Sequence, residues 1–331
     1  MKIERIAVVG AGAIGGCLGA RLAALDDVRV GAVARGATLA ALRAHGWRLD
    51  VDGERLQTPV HGLAEDPAAL GEQDLVIVAV KQPALPALAP RLAPLVGPHT
   101  VILPAMNGVP WWFGHGLPGS AAGMQLATVD PGGVCARALP PQQVVGCVVH
   151  LAALVAEPGR VLLKMGQGLI VGEPVGGTRA RLEAVSALLR RAGFEVTASP
   201  AIHRDTWYKL WGNITMNPVS ALTGATADAI LDDPQVRALC SAVMEEVAAV
   251  GARIGCGIDQ TPEDRHAVTR KLGAFKTSML QDVEAGRAIE LDGIVGAVRE
   301  IAGQVGVATP FLDALFGLTR LMARVRGLVP A

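Results

Sequence analysis

A glycine-rich turn directly after a strand-like run constrains this chain more than any other feature. Residues 5–9 (RIAVV) read as a strand buried on both faces, and GAGAIG follows at residues 10–15. In a G-x-G-x-x-G turn the first glycine permits the tight bend, the second lets a pyrophosphate approach the backbone, and the third lets helix and strand pack closely. The sequence therefore predicts that a dinucleotide binds at the start of a helix. The binding residues would be Gly10, Ala11, Gly12, Ala13, Ile14 and Gly15.

The kind of dinucleotide depends on the end of the next strand. The chain contains 40 glycines, so the glycine pattern alone could be a plain packing turn, and its place between strand and helix favours binding. NAD sites place an acid after the second strand, whereas NADP sites place a cation. Ala34-Arg35-Gly36 stands at this point, and Asp26 and Asp27 lie at the other end of the strand. We therefore predict NADP, with Arg35 on the 2′-phosphate; the alternative is a solvated arginine.

Strand patterns fill the first part of the chain. Apolar runs at 28–34, 75–80 and 101–105 alternate with helices rich in Ala and Leu, which predicts a mostly parallel sheet of the Rossmann type. Asp52-Gly53 predicts a hairpin turn. A segment rich in Gly and Pro follows at 110–143, beginning with two tryptophans and a phenylalanine. These aromatic side chains could line a substrate cleft or pack the segment against the protein, and we favour packing.

Only helical patterns follow residue 200. Breaks in these helices are expected at Pro218, Pro234, Pro262 and Pro310. The predicted fold class is therefore α/β, with two domains. A Rossmann-type dinucleotide-binding domain would span residues 1–200, and an all-helical substrate and catalytic domain would span residues 201–331.

Composition excludes several classes of function. Lys plus Arg and Asp plus Glu each number 30, so the chain has no basic field for nucleic acid. Only 18% of residues are charged, so we expect surface buried between domains or in a homodimer. No apolar run is long enough to span a bilayer, and the N-terminal sequence is not typical of a signal peptide. The five cysteines and seven histidines show no metal-ligand spacing, which predicts reduced thiols in a cytoplasmic protein and no metal.

A polar stripe marks the segment WYKLWGNITMNP at residues 207–218. Lys209, Asn213 and Asn217 stand four residues apart, so they share one face of a helix with about 3.6 residues per turn. Asparagine lowers helix propensity, and a buried amide is costly unless it is paired. A cleft that binds polar atoms explains this stripe better than a core does. The alternative is an exposed lysine on an ordinary helix.

The order of five motifs resembles the ketopantoate reductase family (2-dehydropantoate 2-reductases) over nearly the whole chain. These motifs are GAGAIG, VKQP at 80–83, MNG at 106–108, WYKLWGNITMNP, and KTSMLQDVEAGRAIELD at 276–292. The resemblance implies an NADP-binding Rossmann-type domain and a C-terminal domain like that of 6-phosphogluconate dehydrogenase. It also implies NADPH-dependent reduction of a 2-keto acid to a 2-hydroxy acid. The leading candidate is 2-dehydropantoate to (R)-pantoate in pantothenate biosynthesis.

The resemblance further implies roles for individual residues in the chemistry. Lys209 matches the catalytic lysine that donates a proton, and Glu290 matches the acidic residue of the active site. Asn213 and Asn217 match asparagines that bind substrate, and Ser278 matches a serine that binds the substrate carboxylate. This chemistry is coherent, because a positioned ammonium can stabilise and then protonate the oxygen of a ketone that accepts a hydride.

Other matching residues would contact the cofactor. Asn107 matches a residue that touches both cofactor and substrate, and Lys81 matches a lysine near the adenosine phosphate of NADP. The main chain near Val155 and the side chain of Glu290 would lie beside the cofactor.

Two departures from the family pattern concern the substrate. Asparagines that hold the distal hydroxyl group of ketopantoate in the family align with Ala227 and Phe275. Their loss removes hydrogen bonds that discriminate strongly between substrates. A related 2-keto acid with an apolar side chain would fit at least as well. Two further alternatives are a dehydrogenase acting on an unrelated hydroxy acid or imine, and a non-catalytic NADP(H)-binding sensor.

Overall fold

The computed structural model describes residues 1–328 and divides the chain into two compact units. The first unit comprises residues 1–106 and 132–202, and the second comprises residues 107–131 and the chain from residue 203 onward. This division differs from the predicted boundary at residue 200 in one segment, 107–131. Six of its buried apolar side chains belong to the core of the second unit, which is why contacts group the segment there. The predicted domain limits stay a prediction.

The first unit contains all ten strands of the described chain. They are β1 (Arg5–Val9), β2 (Arg29–Val33), β3 (Trp47–Val51), β4 (Glu54–Thr58), β5 (Leu63–Ala64), β6 (Gln73–Val78), β7 (Val96–Pro104), β8 (Gly146–Glu157), β9 (Arg160–Gly172) and β10 (Glu195–Ser199). Its helices are α1 (Ala13–Leu22), α2 (Gly36–His45), α3 (Leu85–Leu92), α4 (Val134–Ala138) and α5 (Ala180–Arg191).

The strands form two sheets. The first has the order β5-β2-β1-β6-β7, and every pairing in it is parallel. Its strands are apolar on both faces, as helices covering both sides require. The second sheet has the order β10-β9-β3-β4, with β8 antiparallel to β9. The hairpin predicted at Asp52-Gly53 is confirmed between β3 and β4.

Helices make up the second unit. They are α6 (Ile202–Thr223), α7 (Ala227–Asp232), α8 (Pro234–Arg253), α9 (Pro262–Arg270), α10 (Ser278–Glu284), α11 (Ala297–Val305) and α12 (Pro310–Val325). A π-helical turn, residues 292–296, precedes α11. The α/β fold class is thereby confirmed: a parallel Rossmann-like sheet in the N-terminal part is joined to a helical C-terminal part. None of the helices described within residues 1–328 combines the length and apolar composition that a bilayer span requires.

One predicted helix break is wrong. Pro234, Pro262 and Pro310 each occupy the first position of a helix, where a missing N–H costs nothing. Pro218 instead lies inside α6, which continues to Thr223. A proline in the interior of a helix lowers the stability of that helix by about 3 kcal/mol. The helix tolerates it because buried apolar residues on both sides of Pro218 bind α6 into the core of the second unit.

The aromatic residues that open the segment 107–131 are buried, which confirms packing. Trp111, Trp112 and Phe113 are all inaccessible or nearly so. The ring of Phe113 stacks on that of Trp207 in α6, with 5.9 Å between centroids. This contact fixes the start of the segment on the helix that carries the polar stripe.

Candidate active site

The glycine turn has the geometry that a dinucleotide requires. Gly10 follows β1 with φ +90, and a Cβ there would lie 2.7 Å from Val80 Cγ1. A Cβ on Gly15 would lie 2.0 Å from the carbonyl oxygen of Gly10, so this residue permits close packing of turn and helix. In contrast, a Cβ on Gly12 would meet nothing within 4 Å. The open side at Gly12, which directly precedes α1, fits the approach of a pyrophosphate.

Two cations follow strands on either side of β1. Both neighbours of β1 in the sheet, β2 and β6, run parallel to it, so their carboxyl ends lie at the same edge as the glycine turn. Arg35 follows β2, is exposed, and directly precedes α2. Lys81 follows β6 and is half-buried. The sheet therefore brings both predicted cofactor residues to the edge where such sheets bind ligands.

Val155 lies on the second sheet of the same unit. It is exposed and pairs with Val161 of β9. Val161 in turn packs against α1, because a Cβ on Gly16 would lie 2.6 Å from Val161 Cγ2. The predicted role of the main chain at Val155 stays a prediction.

The tryptophans of α6 explain how this helix carries a polar stripe. Trp207 donates its indole N–H to the carbonyl oxygen of Val247 at 3.3 Å, and Trp211 donates to that of Met244 at 2.7 Å. Both rings are fully buried. These two anchors hold one face of α6 on α8, and the face of Lys209 and Asn213 points in a different direction.

Lys209 and Asn107 meet within the second unit. The ammonium group of Lys209 donates a hydrogen bond to Asn107 Oδ1 at 2.8 Å, and both residues are half-buried. An ammonium group has three N–H donors, so one bond fixes its direction without exhausting its capacity. The structure thus joins the predicted proton donor to a predicted substrate and cofactor residue 102 positions away.

The residues after Asn107 contact the segment that carries Glu290. Val109 donates its backbone N–H to the carbonyl oxygen of Gly293 at 2.8 Å. Gly108 has φ +79, and a Cβ there would lie 2.5 Å from the same oxygen. Glu290 is half-buried, and its carbonyl oxygen accepts from Ile294 N at 3.1 Å. Ile294 belongs to the π-helical turn that follows, a feature frequent at functional sites.

The C-terminal end of the polar stripe lies next to the start of α10, the helix that begins at Ser278. Asn217 is 4% exposed, whereas Asn213 is half-buried. Ser220 lies on the same face of α6, and its hydroxyl group lies 2.6 Å from that of Thr277. Thr277 caps α10 by accepting from Leu280 N at 3.2 Å, so Ser278 is the first residue of that helix and is exposed.

The sequence patterns did not lead us to include Ser220 and Thr277 among the candidate site residues. Ser220 follows Asn217 by three residues, so it extends the stripe of Lys209, Asn213 and Asn217 by helical spacing. This spacing could have identified it. The hydroxyl pair with Thr277 joins residues 57 apart in the chain, and no local pattern indicates such a contact.

The predicted residues therefore fall into two groups. The cofactor residues of the glycine turn, with Arg35, Lys81 and Val155, belong to the first unit. The remaining predicted residues all belong to the second unit: Asn107, Lys209, Asn213, Asn217, Ser278 and Glu290. The second group combines a directed ammonium, three amides, a hydroxyl and a carboxylate, which suits proton transfer to a polar substrate.

Sequence models of one family match both parts of the chain. The model described as "Ketopantoate reductase PanE/ApbA" matches residues 6–176, and the model described as "Ketopantoate reductase PanE/ApbA C terminal" matches residues 201–323. A 2-dehydropantoate 2-reductase from Mesorhizobium japonicum is 41% identical over 323 residues, which cover 98% of this chain and 99% of the relative.

Solved structures are similar over the same length. The crystal structure of a candidate ketopantoate reductase from Ralstonia solanacearum MolK2 has a TM-score of 0.95 at 55% identity and covers 99% of this chain and 100% of its own. A 2-dehydropantoate 2-reductase from Methylococcus capsulatus has a TM-score of 0.83 at 26% identity, with 97% of each chain covered. With its glycine turn, its polar helix and these matches along its whole length, the chain belongs to the ketopantoate reductase PanE/ApbA family of dinucleotide-dependent oxidoreductases.

Proposed function

We propose that this protein catalyses the NADPH-dependent reduction of 2-dehydropantoate to (R)-pantoate, a step of pantothenate biosynthesis. The observation that carries this proposal is the hydrogen bond from Lys209 Nζ to Asn107 Oδ1. Lys209 lies on α6, which two buried tryptophans hold against α8. When bound, NADPH would supply the hydride that the ketone carbon accepts. Every other requirement of the reaction falls to side chains of this chain.

Lys209 stabilises the ketone oxygen and protonates it. Negative charge develops on that oxygen as the carbon is reduced, and a fixed ammonium opposes this charge most strongly in the transition state. Asn107 holds the ammonium in one direction by accepting one of its protons. Asn213 and Asn217, one and two helical turns further along, hold the substrate, and Ser278 binds its carboxylate. Glu290 is proposed as the acidic residue of the site, on the half-buried stretch that leads into the π-helical turn.

NADP is the proposed form of the dinucleotide. The position after β2 carries Arg35 and no acid, and an exposed guanidinium suits a 2′-phosphate by two parallel hydrogen bonds. Lys81 at the carboxyl end of β6 adds a second positive charge. We also propose that the protein is cytoplasmic, because all five of its cysteines are buried thiols that form no disulfide.

A second candidate substrate is a 2-keto acid with an apolar side chain. Ala227 and Phe275 occupy the positions of the hydroxyl-binding asparagines, and the N–H of Ala227 donates to the carbonyl oxygen of Phe275 at 3.0 Å. Phe275 precedes Ser278 by three residues, so two apolar residues stand where the family has amides, close in the chain to the proposed carboxylate-binding serine. A 2-keto acid with an apolar side chain has no distal hydroxyl group, so it would need no hydrogen-bond partner at these two positions.

NADPH oxidation across a panel of 2-keto acids tests the function. The panel should contain 2-dehydropantoate and the matched acid that lacks its hydroxyl group. We expect turnover with 2-dehydropantoate. Oxidation only with the matched acid or with other 2-keto acids would mean that the substrate is a different 2-keto acid and that the reaction type is unchanged. No oxidation with any acid, together with tight NADPH binding, would support a sensor instead.

Lys209→Ala tests the acid. Removing a general acid lowers kcat by about 10²- to 10⁴-fold, while NADPH binding measured by fluorescence should stay unchanged. Lys276→Ala is the matched control, because Lys276 is exposed and pairs only with Glu284 among its described neighbours. Turnover of Lys209→Ala close to the wild-type value would remove this lysine from the acid role.

A further inference from the structure

Two buried hydroxyl groups join the helix that carries Asn217 to the helix that begins at Ser278. The hydroxyl oxygens of Ser220, in α6, and Thr277, directly before α10, lie 2.6 Å apart. Both residues are buried, and all four belong to the second unit. A buried polar contact restricts how the two helices can shift, because separating them would leave two hydroxyl groups without partners.

The direction of the hydrogen bonds in this pair follows from the number of hydrogens available. Ser220 donates its single hydroxyl hydrogen to the carbonyl oxygen of Asn217 at 3.0 Å. The hydroxyl group of Thr277 is therefore the donor to Ser220 Oγ. Thr277 Oγ1 in turn accepts from Leu280 N at 3.2 Å, which caps α10. One continuous chain of hydrogen bonds thus runs from the start of α10 to the backbone of Asn217.

A second attachment holds the segment that leads to Ser278. The N–H of Ala227 donates to the carbonyl oxygen of Phe275, two residues before Thr277, at 3.0 Å. Ala227 is the first residue of α7, the next helix after α6. The segment 275–278 is therefore held at two points, by α6 and by the start of α7. Ser278 directly follows the second point, so its backbone is fixed relative to that of Asn217.

We propose that Ser220 and Thr277 are positioning residues, which set the distance between the substrate-binding groups of Asn217 and Ser278. This inference rests on the proposed function, in which these two groups hold one 2-keto acid. Ser220 binds the main-chain carbonyl of Asn217, so the contact leaves the side-chain amide for a ligand. Thr277 holds the start of α10 by its own hydroxyl group and leaves that of the exposed Ser278 for the carboxylate. The pair acts through these neighbours and not by contact with the substrate.

Loss of the pair should weaken substrate binding and leave the chemical step unchanged. Once the contact is broken, the start of α10 can shift away from α6, and the substrate must bring the two binding groups back into place. A group that holds the substrate equally in the ground state and the transition state contributes to KM rather than to kcat. The hydrogen bond between Lys209 and Asn107 does not depend on this contact, because it lies at the N-terminal end of the polar stripe.

Steady-state kinetics of the full chain, with the 2-keto acid that the wild type turns over best, test this proposal. Ser220→Ala and Thr277→Val each delete one hydroxyl group and little volume. Each should raise KM for the 2-keto acid about tenfold. Values of kcat and of KM for NADPH should change by less than about twofold. If one of these variants does not fold, the other still removes the contact and decides the outcome.

Three further variants separate positioning from a general loss of stability. Thr277→Ser keeps the hydroxyl group and the helix cap, so its KM should stay close to the wild-type value. Thr319→Val is the matched control, because Thr319 is equally buried and donates to the carbonyl oxygen of Leu315 within α12. This variant should lower the melting temperature and leave KM unchanged. The double variant Ser220→Ala/Thr277→Val should raise KM no more than either single variant, because each already removes the whole contact.

Several outcomes would overturn the proposal. These are an unchanged KM in Ser220→Ala and Thr277→Val, an equal rise of KM in Thr319→Val, a raised KM in Thr277→Ser, and multiplied effects in the double variant. Each of them would leave the proposed function intact, since the wild type still reduces its 2-keto acid. A wild type that turns over no 2-keto acid would instead overturn the proposed function and this inference together.

Discussion

His203 is a titratable side chain enclosed by aromatic rings. Its ring lies edge-on to those of Trp112 and Phe113, with centroids 5.3 and 5.2 Å away. Burial lowers the pKa of His203 to about 4, although backbone hydrogen bonds with Phe113 and His115 act in the opposite direction. The neutral ring therefore belongs to the packing of the segment 107–131 on α6.

This histidine should make the fold sensitive to mild acid. Its pKa is about 4 when folded and about 6.5 when unfolded, so the stabilisation is complete above pH 6.5 and is lost as the pH falls towards 4. Between pH 7 and pH 5 the wild type should lose about 2 kcal/mol more unfolding free energy than His203→Gln does. Urea unfolding of both proteins at the two pH values measures this difference. Equal losses would mean that the ring titrates normally.

Arg35 should determine the choice between dinucleotides. Arg35→Glu places an acid where NAD sites have one, so KM for NADPH should rise at least roughly tenfold while KM for NADH should not rise. Arg29→Glu is the matched control, because Arg29 is exposed at the opposite end of β2. Steady-state kinetics with both cofactors measures the effect. An unchanged KM for NADPH in Arg35→Glu would contradict the assignment.

At the scale of single elements, sequence patterns predict helices and strands well where the local preference of the residues agrees with the structure that tertiary packing selects. The strands around the glycine turn and the hairpin at Asp52-Gly53 belong to this group. Pro218 does not, because proline weakens a helix locally and tertiary packing on either side of it decides the outcome.

The strand–turn–helix element provides a matched pair of glycine variants. Gly15→Ala places a methyl group 2.0 Å from the carbonyl oxygen of Gly10, and it should lower the unfolding free energy by about 1–3 kcal/mol or more. Gly12→Ala meets no atom within 4 Å, so stability should change by less than about 0.5 kcal/mol. The same methyl group should nevertheless weaken NADPH binding roughly tenfold or more, because it occupies the approach of the pyrophosphate.

Thermal melts and NADPH titrations of the two variants separate the roles of these glycines. Equal effects on stability, or tight NADPH binding by Gly12→Ala, would contradict the assignment of the open side to the cofactor.

At the scale of the whole molecule, the order of the two parts was predictable but the membership of residues 107–131 was not. Alternating strands, then helices alone, predict an α/β part followed by an all-helical part. Nothing local in the segment 107–131 reveals which core its aromatic side chains enter. The same limit applies to the site: motifs identify Asn107 and Lys209 separately, and only the folded chain joins them across 102 positions.

The helical unit should therefore not fold from residues 201–331 alone. That fragment lacks five large side chains buried in its core: Val109, Phe113, Leu117, Leu126 and Val129. We expect far-UV circular dichroism with little cooperative unfolding, since losing even one buried aromatic side chain costs about 3–5 kcal/mol. Joining residues 107–131 to residue 203 by a flexible linker should restore a cooperative transition. A cooperative melt of the shorter fragment would contradict this expectation.

The bond between Lys209 and Asn107 also limits how genes of this family can recombine. A crossover between codons 107 and 209 would deliver the amide from one parent and the amine from the other. Such a chimaera is active only if both parents hold the loop of residue 107 and the helix of residue 209 at the same spacing. Inheritance of the complete pair requires exchange upstream of codon 107 or downstream of codon 209, so functional chimaeras of divergent parents should cluster at those two ends.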